Sequence, residues 1–217
     1  MNIEQARFNM IEQQIRPWDV LNLGVLELLA VVKREDFVPA AHRALAFVDT
    51  EVPLPAGQCM LAPKVEARLL QELAVHKHER VLEIGAGSGY MAALLAHKAQ
   101  HVTTLEIDAG LAEFARANLK RAGITNASVV HADGAAGLPG DGPFDVIVLS
   151  GSVAEVPEAL LAQLKPGGRL TAIVGQQPVM RALLITRGAD QGLARTVLFD
   201  TVAQRLQGFA EPTKFHF

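Results

Sequence analysis

Ile3, Ala6, Met10, Ile11 and Ile15 fall on one side of a helix drawn through residues 2–15, and Pro17 stops the pattern. A second helical run turns Val25, Leu26, Leu29 and Val32 inward and ends near Lys33 and Arg34, whose charges suit a helix C-terminus. Between Asp49 and Pro63 the periodicity disappears, and Pro53, Pro55, Gly57 and Pro63 mark a loop that feeds a helix with Pro63 near its first turn. From Arg80 onward apolar runs alternate with helical ones: strands at 80–85, 101–106, 127–131, 144–149 and 169–174, and helices at about 89–98, 110–122 and 156–164. Two further β-like runs, Ala182 to Thr186 and Arg195 to Phe199, flank Gly188–Gly192, which reads as a hairpin turn.

Strands that alternate with helices give a parallel sheet covered on both faces, and the closing hairpin adds an antiparallel pair. The expected fold is therefore α/β: a Rossmann-like, doubly wound, mostly parallel seven-stranded sheet with a C-terminal antiparallel hairpin and an N-terminal helical extension. Residues 1–62 form the extension and a loop, and 63–217 the sheet domain. A chain of 217 residues, 50% hydrophobic, suffices for one buried domain with an appended segment. The net charge of −3 provides no basic field for nucleic acid, and no run reaches the ~18 apolar residues of a membrane span. One cysteine and an N-terminus without a signal pattern point to a soluble cytoplasmic protein.

The chemistry concentrates at Val81-Leu82-Glu83-Ile84-Gly85-Ala86-Gly87-Ser88-Gly89-Tyr90. A buried strand that turns tightly into a helix through three alternating glycines leaves backbone N–H groups open to a ligand. Glu106 lies 21 residues after Gly85, close to the roughly 20-residue interval at which a carboxylate at the next strand's end accepts from ribose hydroxyls. Tyr90 stands where a dinucleotide fingerprint has its third glycine, and Glu83 would repel a pyrophosphate. A ribose-bearing ligand with an ammonium and a sulfonium, S-adenosylmethionine, fits these charges.

With VLEIGAGSGY, LEID, HADG at 131–134, FDVIVLSGS at 144–152 and LKPGGRL at 164–170 in order, the chain resembles the class I S-adenosylmethionine-dependent methyltransferases. Its N-terminal part, MIEQQIRPWDVLNLGVLELLAVVKREDFVP followed by FVDTEVPLPAGQ, resembles the start of the protein-L-isoaspartate O-methyltransferases. The resemblance implies that Gly85, Gly87 and Gly89 line the methionine end of the cofactor, that Glu106 with Ile107 holds the ribose, and that Asp133 and Gly134 meet adenine. A simple Asx turn is the other reading of Asp133. It implies a peptide or protein carrying isoaspartate as the methyl acceptor.

The chain leaves the family pattern at the active-site loop. Those enzymes follow Gly-Gln with Thr-Ile-Ser, whereas Gly57-Gln58 is followed here by Cys59, Met60 and Leu61. Leu61 donates no hydrogen bond where the resemblance implies a serine beside cofactor and substrate. Three readings result: O-methylation of a carboxylate on damaged protein, methylation of another small-molecule or protein group, and a binding module without catalysis. No residue in the loop is assignable as acid or base, and none is required if the acceptor is a carboxylate, which is ionised at neutral pH. His97 and His101 lack a third ligand for a metal, Cys59 reads as a packing residue rather than a reactive thiol, and Trp18 as an anchor of the N-terminal helices.

Overall fold

The computed structural model describes residues 2–211. Strands β3 (Arg80–Ile84), β4 (His101–Glu106), β5 (Ala127–His131), β6 (Phe144–Val153), β7 (Leu164–Gln176), β8 (Val179–Arg187) and β9 (Leu193–Thr201) form one seven-stranded sheet in the order β5-β4-β3-β6-β7-β8-β9. The first five run parallel, while β8 pairs antiparallel with both β7 and β9. The expected hairpin is present but longer than its apolar stretch suggested, because register pairing with β7 extends β8 across Val179–Arg187.

Period-two alternation sorts the central strands onto two faces. Val81, Val102, Val146 and Val148 pack under α3 (Pro63–Leu73), α4 (Tyr90–Lys98), α5 (Ala109–Arg121) and the N-terminal helices, whereas Leu82, Ile84, Leu105, Ile147 and Leu149 face the opposite core. That opposite face is thinly covered. The helix expected over 156–164 shrinks to α6, Glu158–Leu161, because Pro157 starts it late and β7 already begins at Leu164. Leu138, Leu206 and Phe209 from flanking segments complete the cover.

The extension begins with α1 (Ile3–Met10), widens over Ile11–Ile15 and tightens at Arg16–Trp18 before α2 (Leu23–Val31). Met10, Ile11 and Ile15 are buried as the spacing predicts, but Ile3 is exposed, since the helix reaches past the core at its first turn. Trp18 stacks edge-on against Phe199 of β9 at 5.2 Å and so does anchor the extension to the sheet domain. Residues 49–63, expected to be an unstructured loop, contain a miniature hairpin in which β1 (Val52–Pro53) pairs with β2 (Cys59–Met60) across a turn with Ala56 and Gly57 at positive φ.

Arg34 is the largest departure. Instead of decorating a helix C-terminus it lies past the end of α2, fully buried and ion-paired with Glu66 of α3. A second buried pair, Arg7 with Glu35, joins α1 to the same turn. Removing one member of such a pair leaves the other charged and dry. Arg7→Met is therefore expected to cost about 3 kcal/mol in urea unfolding, and the double change Arg7→Met with Glu35→Leu to recover most of it.

Candidate active site

Sequence geometry forces the turn after β3. Gly85, Gly87 and Gly89 have φ of 90°, 52° and 81°, a region that costs other residues backbone strain. A Cβ on Gly85 would come 2.7 Å from Leu206. Four of the turn's N–H groups, however, are not open as its composition suggests. Gly85 and Ala86 donate to the Leu105 carbonyl at 2.9 and 3.1 Å, Gly89 donates to the Ala86 carbonyl at 2.7 Å, and Gly87 donates to the Glu106 carboxylate at 2.8 Å. The parallel pairing of β3 with β4 brings Leu105 alongside and takes these donors. What the turn presents is not an anion nest but a backbone wall flanked by carboxyl groups.

Glu106 is buried at the end of β4, where its second oxygen accepts from Asp108 N at 3.1 Å. Glu83 is fully buried. One of its oxygens accepts from Thr104 Oγ1 at 2.7 Å and the other from Ser150 Oγ at 2.6 Å, one hydroxyl from each neighbouring strand. Burial pushes its carboxyl up to about 8 against the pull of those two hydrogen bonds, with Glu66 and Glu106 adding like-charge repulsion.

A cleft opens at the carboxyl ends of β3 and β4, where parallel sheets place their ligands. Gly85, Gly87, Glu106, Ile107 and Gly134 line it. Gly134 has no room for a side chain, since a Cβ there would stand 2.4 Å from Ile84 Cγ2. Beside the cleft is a smaller pocket, walled by Glu83, Gly85, Gly87 and Tyr90 and roofed by Cys59, Met60 and Leu61. Leu54 of the same hairpin packs 3.2 Å from where a Gly87 Cβ would be. Cys59 borders both spaces, and burial together with Glu51 pushes its thiol up to about 12, so it stays protonated.

Two residues singled out from the sequence lie elsewhere. Gly89 caps the N-terminus of α4 with its Cα turned to α5, where a Cβ would meet the Ala115 carbonyl at 3.2 Å. Asp133 is exposed and accepts from Ala135 N at 2.9 Å in an Asx turn, with Gly208 close against it. Conversely, Ser150, Leu206 and Gln207 line the cleft. Ser150 was within reach of sequence reasoning, because FDVIVLSGS ends a strand that adjoins β3. Leu206 and Gln207 were not: they follow β9 and arrive because their segment is bonded to β6, Ser152 N donating to Gln204 O at 2.8 Å and Leu206 N to Ser152 O at 2.9 Å.

The cleft suits S-adenosylmethionine. Among the described residues no lysine or arginine lines either space, two carboxyl groups flank the glycine turn, and the N–H groups of Gly85, Ala86, Gly87 and Gly89 are already used, which disfavours a phosphate-rich ligand. The family model described as Protein-L-isoaspartate(D-aspartate) O-methyltransferase matches residues 6–202. A protein-L-isoaspartate O-methyltransferase of Koribacter versatilis (strain Ellin345) is 40% identical over 194 residues, covering 89% of this chain and 87% of the relative. Another, of Rhodopseudomonas palustris (strain ATCC BAA-98 / CGA009), is 41% identical over 192 residues, covering 88% of each. A Plasmodium falciparum chain described as a protein-L-isoaspartate O-methyltransferase, solved in complex with S-adenosyl-L-homocysteine, shares the fold with a TM-score of 0.79 at 23% identity over 93% of this chain and 98% of that one.

Because the Glu83 carboxyl binds its proton more tightly in the folded chain than at its ordinary value of 4.5, the folded state holds the extra proton between there and about 8. Its contribution is complete below the lower value and is lost as pH rises through the upper one. Urea unfolding of the ligand-free protein should show stability falling across that window, with a shallower fall in Glu83→Gln.

Proposed function

The chain belongs to the protein-L-isoaspartate(D-aspartate) O-methyltransferase family, and from that premise we propose how its residues divide the work of an S-adenosylmethionine-dependent transfer to an isoaspartyl carboxylate. When bound, the cofactor supplies a methyl group on a positively charged sulfur that becomes neutral on transfer. Glu106 accepts from the ribose hydroxyls, and Ile107 and the bare backbone at Gly134 form the flat wall for adenine. Asp133 then acts through its turn, shaping the backbone that Gly134 presents. Gly85 and Gly87 allow close approach of the methionine portion, and Glu83 faces its ammonium.

Cys59, Met60 and Leu61 close the roof. Their part is to exclude water and align the acceptor with the donor, which is most of what a displacement at methyl requires. An isoaspartyl carboxylate is ionised at neutral pH and needs no base. The Cys59 thiol, held protonated, does not compete as a nucleophile. The seating of this roof over the pocket that holds Glu83 is the observation that carries the reading.

The acceptor enters on a peptide, and the net charge of −3 favours no polyanionic substrate. A single cysteine supports the reducing cytoplasm as the place of work. Among the described residues no helix is long and apolar enough to cross a membrane.

Tritiated methyl incorporation should appear on an isoaspartyl peptide and not on its aspartyl twin, whereas equal background on both would remove the assignment. Leu61→Ser, which adds one hydrogen-bonding group at the roof, should raise kcat/KM on the isoaspartyl peptide up to about tenfold. A fall in that variant would show that the apolar roof itself is what the acceptor needs.

A further inference from the structure

Glu66 is a buried carboxyl of the site that the division of work above leaves unused. It projects from α3 and lines the smaller pocket together with Glu83, Gly85, Gly87 and Leu61. A carboxyl group there is costly unless it is paired. Its partner is Arg34, whose Nη1 donates to Glu66 Oε2 and whose Nη2 donates to the Leu61 carbonyl at 2.7 Å. The guanidinium also lies 5.2 Å from the centroid of the Tyr90 ring.

The two members of this pair are not placed alike. Glu66 is on the pocket wall and Arg34 is behind it, absent from the lining and without any exposed surface. The ion pair therefore turns its negative end toward the space where Glu83 already stands. Two carboxyl groups facing one small pocket disfavour each other's ionisation and favour any ligand that brings positive charge.

We propose that Glu66 is a specificity-determining residue at the methionine end of the cofactor site, where its Arg34-backed carboxylate favours the cationic sulfonium donor over the neutral thioether product. The inference rests on the reading of this cleft as the S-adenosylmethionine site. The donor carries an ammonium, a sulfonium and one carboxylate, and loss of the methyl group removes one positive charge. A buried carboxylate senses that difference more strongly than one in water. The consequence is that transfer weakens the hold on the product and helps it leave. Burial pushes Glu66 up to about 7 even with Arg34 beside it, so its charge at neutral pH responds to an arriving cation. Among the described residues the other ionisable groups around the pocket are Glu83 of β3, Tyr90 of α4 and Cys59 of β2.

Calorimetric titration of the full chain with S-adenosylmethionine and, separately, S-adenosylhomocysteine at pH 7.5 tests this. Glu66→Gln is expected to weaken the donor about tenfold and the product less than about twofold. Equal weakening of both, or of neither, overturns the proposal and leaves Glu66 a structural partner of Arg34. Because glutamine strands a buried guanidinium, Arg34→Met with Glu66→Leu is measured alongside. That double variant removes both charges and should show the same compressed ratio, whereas a wild-type ratio in it also overturns the proposal. Failure of the unaltered chain to bind the donor at all would instead sink the cofactor reading on which the proposal stands.

Discussion

Three neighbouring strands converge on one carboxyl group that no water reaches. Glu83 stands on β3 between Thr104 of β4 and Ser150 of β6, and both hydroxyls donate to it. The cost of burying an acid is moderated by those donors but not removed, and the remaining cost is a preference for a proton or a cation. Other parts of the cleft agree with that preference. Gly85, Ala86 and Gly87 of the glycine turn donate to Leu105 and Glu106, and among the described residues no basic side chain lines the two adjoining spaces. A sheet of this shape with open turn donors would suit pyrophosphate; this one suits a sulfonium.

The N-terminal extension shapes the other half of the site. Arg34 holds the Leu61 carbonyl and Glu66 while stacking on Tyr90, the first residue of the helix that leaves the glycine turn. One buried guanidinium therefore ties the extension, the roof of the pocket and the cofactor turn together. Trp18 on Phe199 and the Arg7–Glu35 pair keep that extension seated. Substitutions in residues 3–36 should thus be felt at the roof although α1 and α2 lie outside the cleft.

Much of this was legible in the chain. Apolar runs separated by helical stretches marked the parallel strands, because central strands covered on both faces bury successive residues. Glu83 and Glu106 were legible because their spacing from the glycines follows from strand length and parallel pairing. The rest depended on contacts far apart in sequence. Arg34 reads as a helix-end charge until α3 is seen to carry Glu66 against it, 32 residues away. Leu206 reaches the cleft through a bond to Ser152 that no local pattern encodes. The closed state of the turn's N–H groups follows from tertiary pairing with Leu105 and not from the glycines themselves.

Buried acid, not an open anion nest, is proposed to select the cofactor. This is tested most directly by calorimetric binding of S-adenosylmethionine between pH 6 and 7.5, below the range where the ligand's own amine titrates at roughly 7.7–8, in buffers of different ionisation heat. Binding should release protons from the carboxyl pair, and affinity should rise with pH across this interval. Binding with no proton release and an affinity independent of pH would contradict that selection.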